Sequence, residues 1–141
     1  MRQFIGIDIG GTKCAVVAAR ERADGGTPEI FEKKSFPTIV GNTEATIEKI
    51  LETAEKTAAR AKSVSAVGIS CGGPLDSSRG VIMSPPNLVG WDNVKITEIV
   101  RRRLGVPTFL QNDANACALA EWLYGAGKGS KNMVFMTFGT G

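Results

Sequence analysis

Two apolar runs, residues 3–9 and 14–19, are separated by only Gly10-Gly11-Thr12-Lys13. A gap this short admits a hairpin and excludes a helical crossover, so the chain has to open with an antiparallel pair of strands. A turn at 23–28, rich in glycine, then sets off a third strand over 29–36 that continues the antiparallel order. Beyond Pro37 the period changes. Ile47, Ile50, Leu51, Ala54, Ala58 and Ala61 recur every three or four residues, which predicts the apolar face of a long helix starting near Thr43. Asn42 is placed to cap that helix, Glu44 suits the positive end of its dipole, and Glu52 stands one turn before Lys56.

Residues 64–70 are a short β-branched run, predicted to be a central strand lying under the helix. A polar loop with several glycines and prolines is expected over 71–91. Asp92 is expected to cap a second helix whose Ile96, Ile99, Val100 and Leu104 face inward and which Gly105 and Pro107 end. Another strand follows over 106–110. Residues 114–124 are apolar on nearly every side and predict a helix buried between layers, ahead of a flexible linker at 125–131. A last strand is expected over 132–138, running into Gly139-Thr140-Gly141. The fold class that follows is α/β: a mixed five-stranded sheet, three antiparallel strands and then parallel ones, with helices on both faces.

Composition narrows the function. The 141 residues, 43% hydrophobic and 22% charged, suffice for one core without disulfide staples. A net charge of +3 is too small to signal a nucleic-acid or membrane-surface partner. No apolar run reaches the roughly 18 residues of a membrane span, and residues 1–11 lack the pattern of a secretory leader, so a cytoplasmic protein is expected. Cys14, Cys71 and Cys117 are odd in number and far apart, which reads as buried reduced thiols. The chain has no histidine, so its chemistry must run on carboxylates, amides and backbone.

In parallel α/β sheets ligands sit beyond the carboxyl ends of the strands. Asp8 to Thr12, Gly72 to Pro74, Asn112-Asp113 and Gly139 to Gly141 all fall just past a predicted strand. The glycines between Asp8 and Lys13 match neither a P-loop nor a dinucleotide fingerprint, because a strand follows them, but they can aim bare backbone at an anion. Asp8, a carboxylate in an apolar strand, needs a partner or a polar site. Asp113 has a structural explanation as the cap of the next helix. Asn112 has none, and an amide beside a carboxylate can hold a polyol hydroxyl and take its proton. The long loop adds Gly72, Gly73 and, between prolines and Trp91, Asn87.

Together the segments IGIDIGGTK, GISCGGPLD, SPPNLVGW, LQNDANA and MTFGTG resemble, in order and along the whole chain, the N-terminal part of ROK-family sugar kinases, relatives of the glucokinases within the actin-like ATPase fold. The resemblance implies a hexose as substrate, ATP as phosphoryl donor and magnesium as cofactor. It makes Gly10, Gly11, Thr12 and Lys13 the first phosphate hairpin, with Asp8 near the magnesium ion and holding it through water. Asp113 becomes the catalytic base, Asn112 and Asn87 become sugar-contacting amides, and Gly72 and Gly73 supply backbone to the sugar. Gly139, Thr140 and Gly141 become the second phosphate hairpin.

Two departures go with the resemblance. Cys71-Gly72-Gly73-Pro74 stands where many relatives have a Pro-Gly-Pro turn. The second lobe, which in the family supplies the adenosine pocket, further sugar ligands and the cysteine and histidine ligands of a structural zinc, is not in this sequence. The expected division is a first lobe over 1–125, a linker over 126–131 and the start of the second lobe over 132–141, in a protein about twice as long and dimeric. The same family contains sugar-responsive transcription regulators with a helix-turn-helix ahead of the first strand, and that strand here begins at Gln3. An actin- or Hsp70-like ATPase with a protein client is the other reading, and the Asn112-Asp113 pair speaks against it.

Overall fold

The computed structural model describes residues 1–138. In chain order the elements are β1 (Gln3–Ile9), β2 (Lys13–Arg20), β3 (Glu29–Pro37), α1 (Thr43–Ala58), β4 (Val64–Cys71), β5 (Leu75–Asp76), β6 (Val81–Ile82), α2 (Ile96–Leu104), β7 (Thr108–Asn112) and α3 (Asp113–Tyr124). Five strands form one sheet in the order β3-β2-β1-β4-β7. The β1–β2 and β2–β3 pairs are antiparallel, whereas β1–β4 and β4–β7 are parallel, as the expected mixed sheet requires.

Register decides which face is core. Ile5, Ile7 and Ile9 of β1 lie opposite Ala18, Val16 and Cys14 of β2 and opposite Val67, Ile69 and Cys71 of β4, so three apolar rows share one face. Ile50, Leu51 and Ala54 of α1, with Ile96 and Val100 of α2, close over them. Each large side chain buried there contributes about 1.5–3 kcal/mol, and a slip of one residue would turn a whole row to solvent. Asn42 caps α1 as expected, its Oδ1 accepting from the Ala45 N–H at 3.0 Å. Gly105, with φ of 70°, ends α2 in the left-handed conformation that glycine tolerates best. Arg103, in the last turn of α2, ties that helix to α1 by pairing with both Glu48 and Glu55 at 2.9 and 2.8 Å.

Several expectations are corrected. The loop over 71–91 contains a small antiparallel pair, β5 with β6, and its Trp91 is buried in the core. Asp92 does not cap α2. Asn93 has a φ of 50° and Val94 forms a β-bridge to Ile82, which takes this stretch out of the helix until Lys95. The Asp92 carboxylate instead accepts from the Ser84 hydroxyl. Residues 132–138 form no strand, because no ladder partner meets them among the described residues.

A further correction concerns α3, which is not buried between layers: none of its residues is buried. It stands off the second sheet face and leaves a groove of about 650 Å³, lined by Gly6, Val17, Gly68 and Phe109 from the sheet and by Leu119 and Leu123 from the helix. Cys117, expected to be buried, is exposed on this helix. Apolar composition shows that a surface seeks cover but not whether a partner is at hand. The stretch after α3 is folded as turns rather than loose, with the Trp122 indole N–H donating to the Ser130 carbonyl at 3.0 Å.

Candidate active site

Ile9 lies opposite Cys71, and Cys71 opposite Asn112, so β1, β4 and β7 end flush. Gly10, Gly72 and Asp113, which follow these residues, therefore emerge at one rim. The hairpin between β1 and β2 is closed by the Gly10 N–H donating to the Lys13 carbonyl at 3.1 Å. Thr38 braces it from the end of β3, its hydroxyl donating to the Gly10 carbonyl at 2.6 Å and its N–H to the Thr12 carbonyl at 2.9 Å.

The hairpin has to be glycine. A Cβ on Gly10 would stand 2.7 Å from the Lys13 carbonyl oxygen, and one on Gly11 would stand 2.3 Å from the carbonyl oxygen of Asn87. The second clash shows how Asn87, remote in sequence, reaches the site: its loop packs directly on the hairpin. That loop is anchored by buried Trp91, whose carbonyl accepts from the Ser84 N–H at 3.0 Å. Gly72 and Gly73 face the other side of the rim. A Cβ on Gly72 would come within 3.9 Å of Asp113 Oδ2, and one on Gly73 within 3.5 Å of Asn112 Nδ2.

The structure moves the cap of α3 from Asp113, where the sequence placed it, to Asn112. Asn112 is the cap of α3, its Oδ1 accepting from the N–H groups of Ala114 at 3.0 Å and Asn115 at 3.3 Å. Backbone N–H groups need an acceptor, so this fixes the amide orientation and leaves Nδ2 free to donate. Asp113 is the first residue of the helix and exposed; among the described residues its Oδ1 accepts only from the adjacent Ala114 N–H at 2.8 Å. Sequence alone does not place the cap, because Asp and Asn cap about equally well and only the last extended residue of β7, Asn112, decides which of them it is.

Asp8 finds the partner that an in-strand carboxylate needs in Ser70, whose hydroxyl donates to Asp8 Oδ1 at 2.6 Å. Ser70 and Thr38 were not singled out from the sequence. A signal for Ser70 was there: Gly6-Ile7-Asp8-Ile9-Gly10 and Gly68-Ile69-Ser70-Cys71-Gly72 share one pattern, and the parallel register aligns them. Cys71 lies behind the rim, and burial, with the Asp113 and Asp8 carboxylates nearby, pushes its thiol up to about 12. It is a protonated core residue and not a nucleophile.

The cradle suits a phosphate chain with a hydrated cation. Bare hairpin backbone is what a phosphate approaches most closely. Asp8 offers an exposed carboxylate, the oxygen-donor type that an ion keeping most of its water accepts. Lys13 is exposed beside the hairpin. Gly139, Thr140 and Gly141 lie outside the described residues.

A model of the ROK family matches residues 4–141. The glucokinase of Thermotoga maritima is 37% identical over 140 residues, which are 99% of this chain and 42% of that protein. The ROK hexokinase from Thermus thermophilus superposes with a TM-score of 0.75 at 37% identity, covering 90% of this chain and 40% of its own. A ROK family glucokinase from Streptomyces griseus, solved in complex with glucose and AMPPNP, superposes with a TM-score of 0.74 at 33% identity, covering 90% and 38%. The chain thus spans well under half the length of each of these relatives.

Proposed function

We propose that this chain, which belongs to the ROK family and has the actin-like ATPase fold of its sugar kinases, forms the sugar-binding lobe of an ATP-dependent hexose kinase. The acceptor in this reading is the carbon-6 hydroxyl of glucose or a related hexose. The observation that carries it is the exposed carboxylate of Asp113 at the shared rim, released from capping by Asn112 and facing the Gly72 loop.

Asp113 accepts the proton of the sugar hydroxyl as that oxygen bonds to the γ-phosphorus and the bond from phosphorus to the β,γ-bridging oxygen breaks, leaving ADP. A base at this position is used late, because phosphoryl transfer proceeds through a loose transition state and depends mostly on positioning. Asn112 donates to the sugar through Nδ2, Asn87 adds a second amide, and the backbone of Gly72 and Gly73 flanks the ring. Gly10, Gly11, Thr12 and Lys13 face the phosphates, and Gly139, Thr140 and Gly141 form the second phosphate hairpin. Magnesium, when bound, neutralises charge on the transferring phosphates, and Asp8 holds it through water. The first lobe is residues 1–125, joined by 126–131 to a second lobe that begins at 132.

In this reading the enzyme is cytoplasmic and dimeric, and the 141-residue chain alone is inert because a nucleotide has to be gripped between two lobes. Among the described residues no helix is long and apolar enough to cross a membrane. The test is an ADP-release assay of the full-length protein over a panel of hexoses and N-acetylated hexosamines. Glucose turnover with a 6-phosphate product is the expected result. Tight sugar binding without turnover of any sugar would overturn the kinase reading in favour of a sugar-responsive regulator.

A further inference from the structure

Asp8 is exposed and, among the described residues, makes a single side-chain hydrogen bond, the one from Ser70. The two residues lie directly opposite one another on β1 and β4 and are 62 positions apart in sequence, so the contact exists only through the sheet. At 2.6 Å it has the length of a charge-assisted bond from a hydroxyl to a carboxylate.

Among the described residues the sheet positions around Asp8 give it little else to lean on, its partner on β2 being the small Ala15. The residues before it on its own face are Gly6 and, across the strand pair, Gly68, neither of which has a side chain to restrain it. Gln111 is the next residue in the same row, opposite Ser70 on β7. Its Oε1 already accepts from the Asn112 N–H at 2.8 Å and the Ser77 hydroxyl at 3.3 Å. The Ser70 hydroxyl thus directs its proton to Asp8 alone. It engages Oδ1 and leaves Oδ2, among the described residues, without a hydrogen bond, and it does so from an interior strand paired on both sides.

We infer that Ser70 is a positioning residue that fixes the Asp8 carboxylate in the orientation needed to receive a hydrated divalent cation. The inference rests on the reading of Asp8 proposed above. Packing alone does not ask for a hydroxyl here, since Gly68, two residues earlier on the same face, is open to space.

The test uses full-length Ser70→Ala, Ser70→Thr and Asp8→Ala proteins. Two quantities are read: Mn²⁺ retention in the presence of ADP, followed by electron paramagnetic resonance, and glucose binding without nucleotide, followed by calorimetry. Ser70→Ala is expected to weaken Mn²⁺ retention about 10-fold, the usual cost of losing a residue that orients a metal ligand, with glucose affinity unchanged. Ser70→Thr keeps the hydroxyl, suits a strand, and restores Mn²⁺ retention. An alanine variant that holds Mn²⁺ like the wild type, or a threonine variant as impaired as the alanine one, overturns the inference. If Asp8→Ala itself leaves Mn²⁺ retention unchanged, the assignment of Asp8 fails, and that failure is distinct from a loss seen in Asp8→Ala but not in Ser70→Ala.

Discussion

Asn112 and Asp113 are consecutive residues with separate tasks: the Asn112 side-chain oxygen holds the first N–H groups of α3, and the Asp113 carboxylate points at the rim beside Gly72. Because Asn112 caps the helix, the role of base proposed for Asp113 does not compete with capping. Substitutions at the two positions therefore have opposite signatures.

Asp113→Asn is expected to leave the fold and sugar affinity nearly intact, since Asp113 is not the cap, while lowering turnover about 100-fold or more as loss of a general base does. Steady-state rates at saturating ATP and sugar, with a thermal melt alongside, check this. A variant within about tenfold of wild type would remove Asp113 from the role of base.

Asn112→Asp retains a good cap but replaces the Nδ2 donor by an acceptor. Stability should be unchanged and sugar affinity should fall. Asn112→Ala loses the cap as well and should cost about 1 kcal/mol of stability in addition. Calorimetry of sugar binding and chemical denaturation separate the two. Equal stability of the Ala and Asp variants would show that the cap is not worth what its geometry implies.

Gly11→Ala tests whether hairpin and loop form one unit. Its methyl group would stand 2.3 Å from the Asn87 carbonyl oxygen, so the loop must move. Loss of both nucleotide and sugar affinity is expected. A loss confined to nucleotide would show that Asn87 is positioned independently of the hairpin.

Cys71 should resist alkylation in the folded chain at pH 8, because burial holds its thiol near 12 and hence protonated. Exposed Cys117 should react, so mass spectrometry is expected to find one label on the native chain and three after unfolding. The linkage has a definite sign. A thiol raised from 9.0 to about 12 on folding favours the folded state fully below pH 9, and that contribution is lost as pH rises toward 12. Rapid labelling of Cys71 at pH 8 would contradict the burial on which this depends.

The groove between α3 and the second sheet face should make the isolated 141-residue chain self-associate. Leu119 and Leu123 are 49% and 45% exposed there and Phe109 is 65% exposed, so large apolar side chains from both walls of the groove are left uncovered. Light scattering should show oligomers of the wild-type chain, and Leu123→Glu should reduce them. A monodisperse monomer would count against the groove as a sticky surface.

The local features of this protein were legible in its residues. The short gap over Gly10 to Lys13 required a hairpin, the spacing of Ile47, Ile50 and Ala54 required a helix, and the Gly-rich segments past each strand marked the rim, because period and turn chemistry act over a few residues and need no partner. The sites held together by distant residues were decided by tertiary structure. Whether Asn112 or Asp113 caps α3 depended on where β7 stops pairing with β4. Whether Asp92 begins a helix depended on a bridge between Val94 and Ile82, and the partner of Asp8 depended on the parallel register of two strands far apart in sequence. The apolar character of α3 was plain from composition, but its burial was not, because burial is a property of a pair of surfaces and the sequence of one surface does not contain the other.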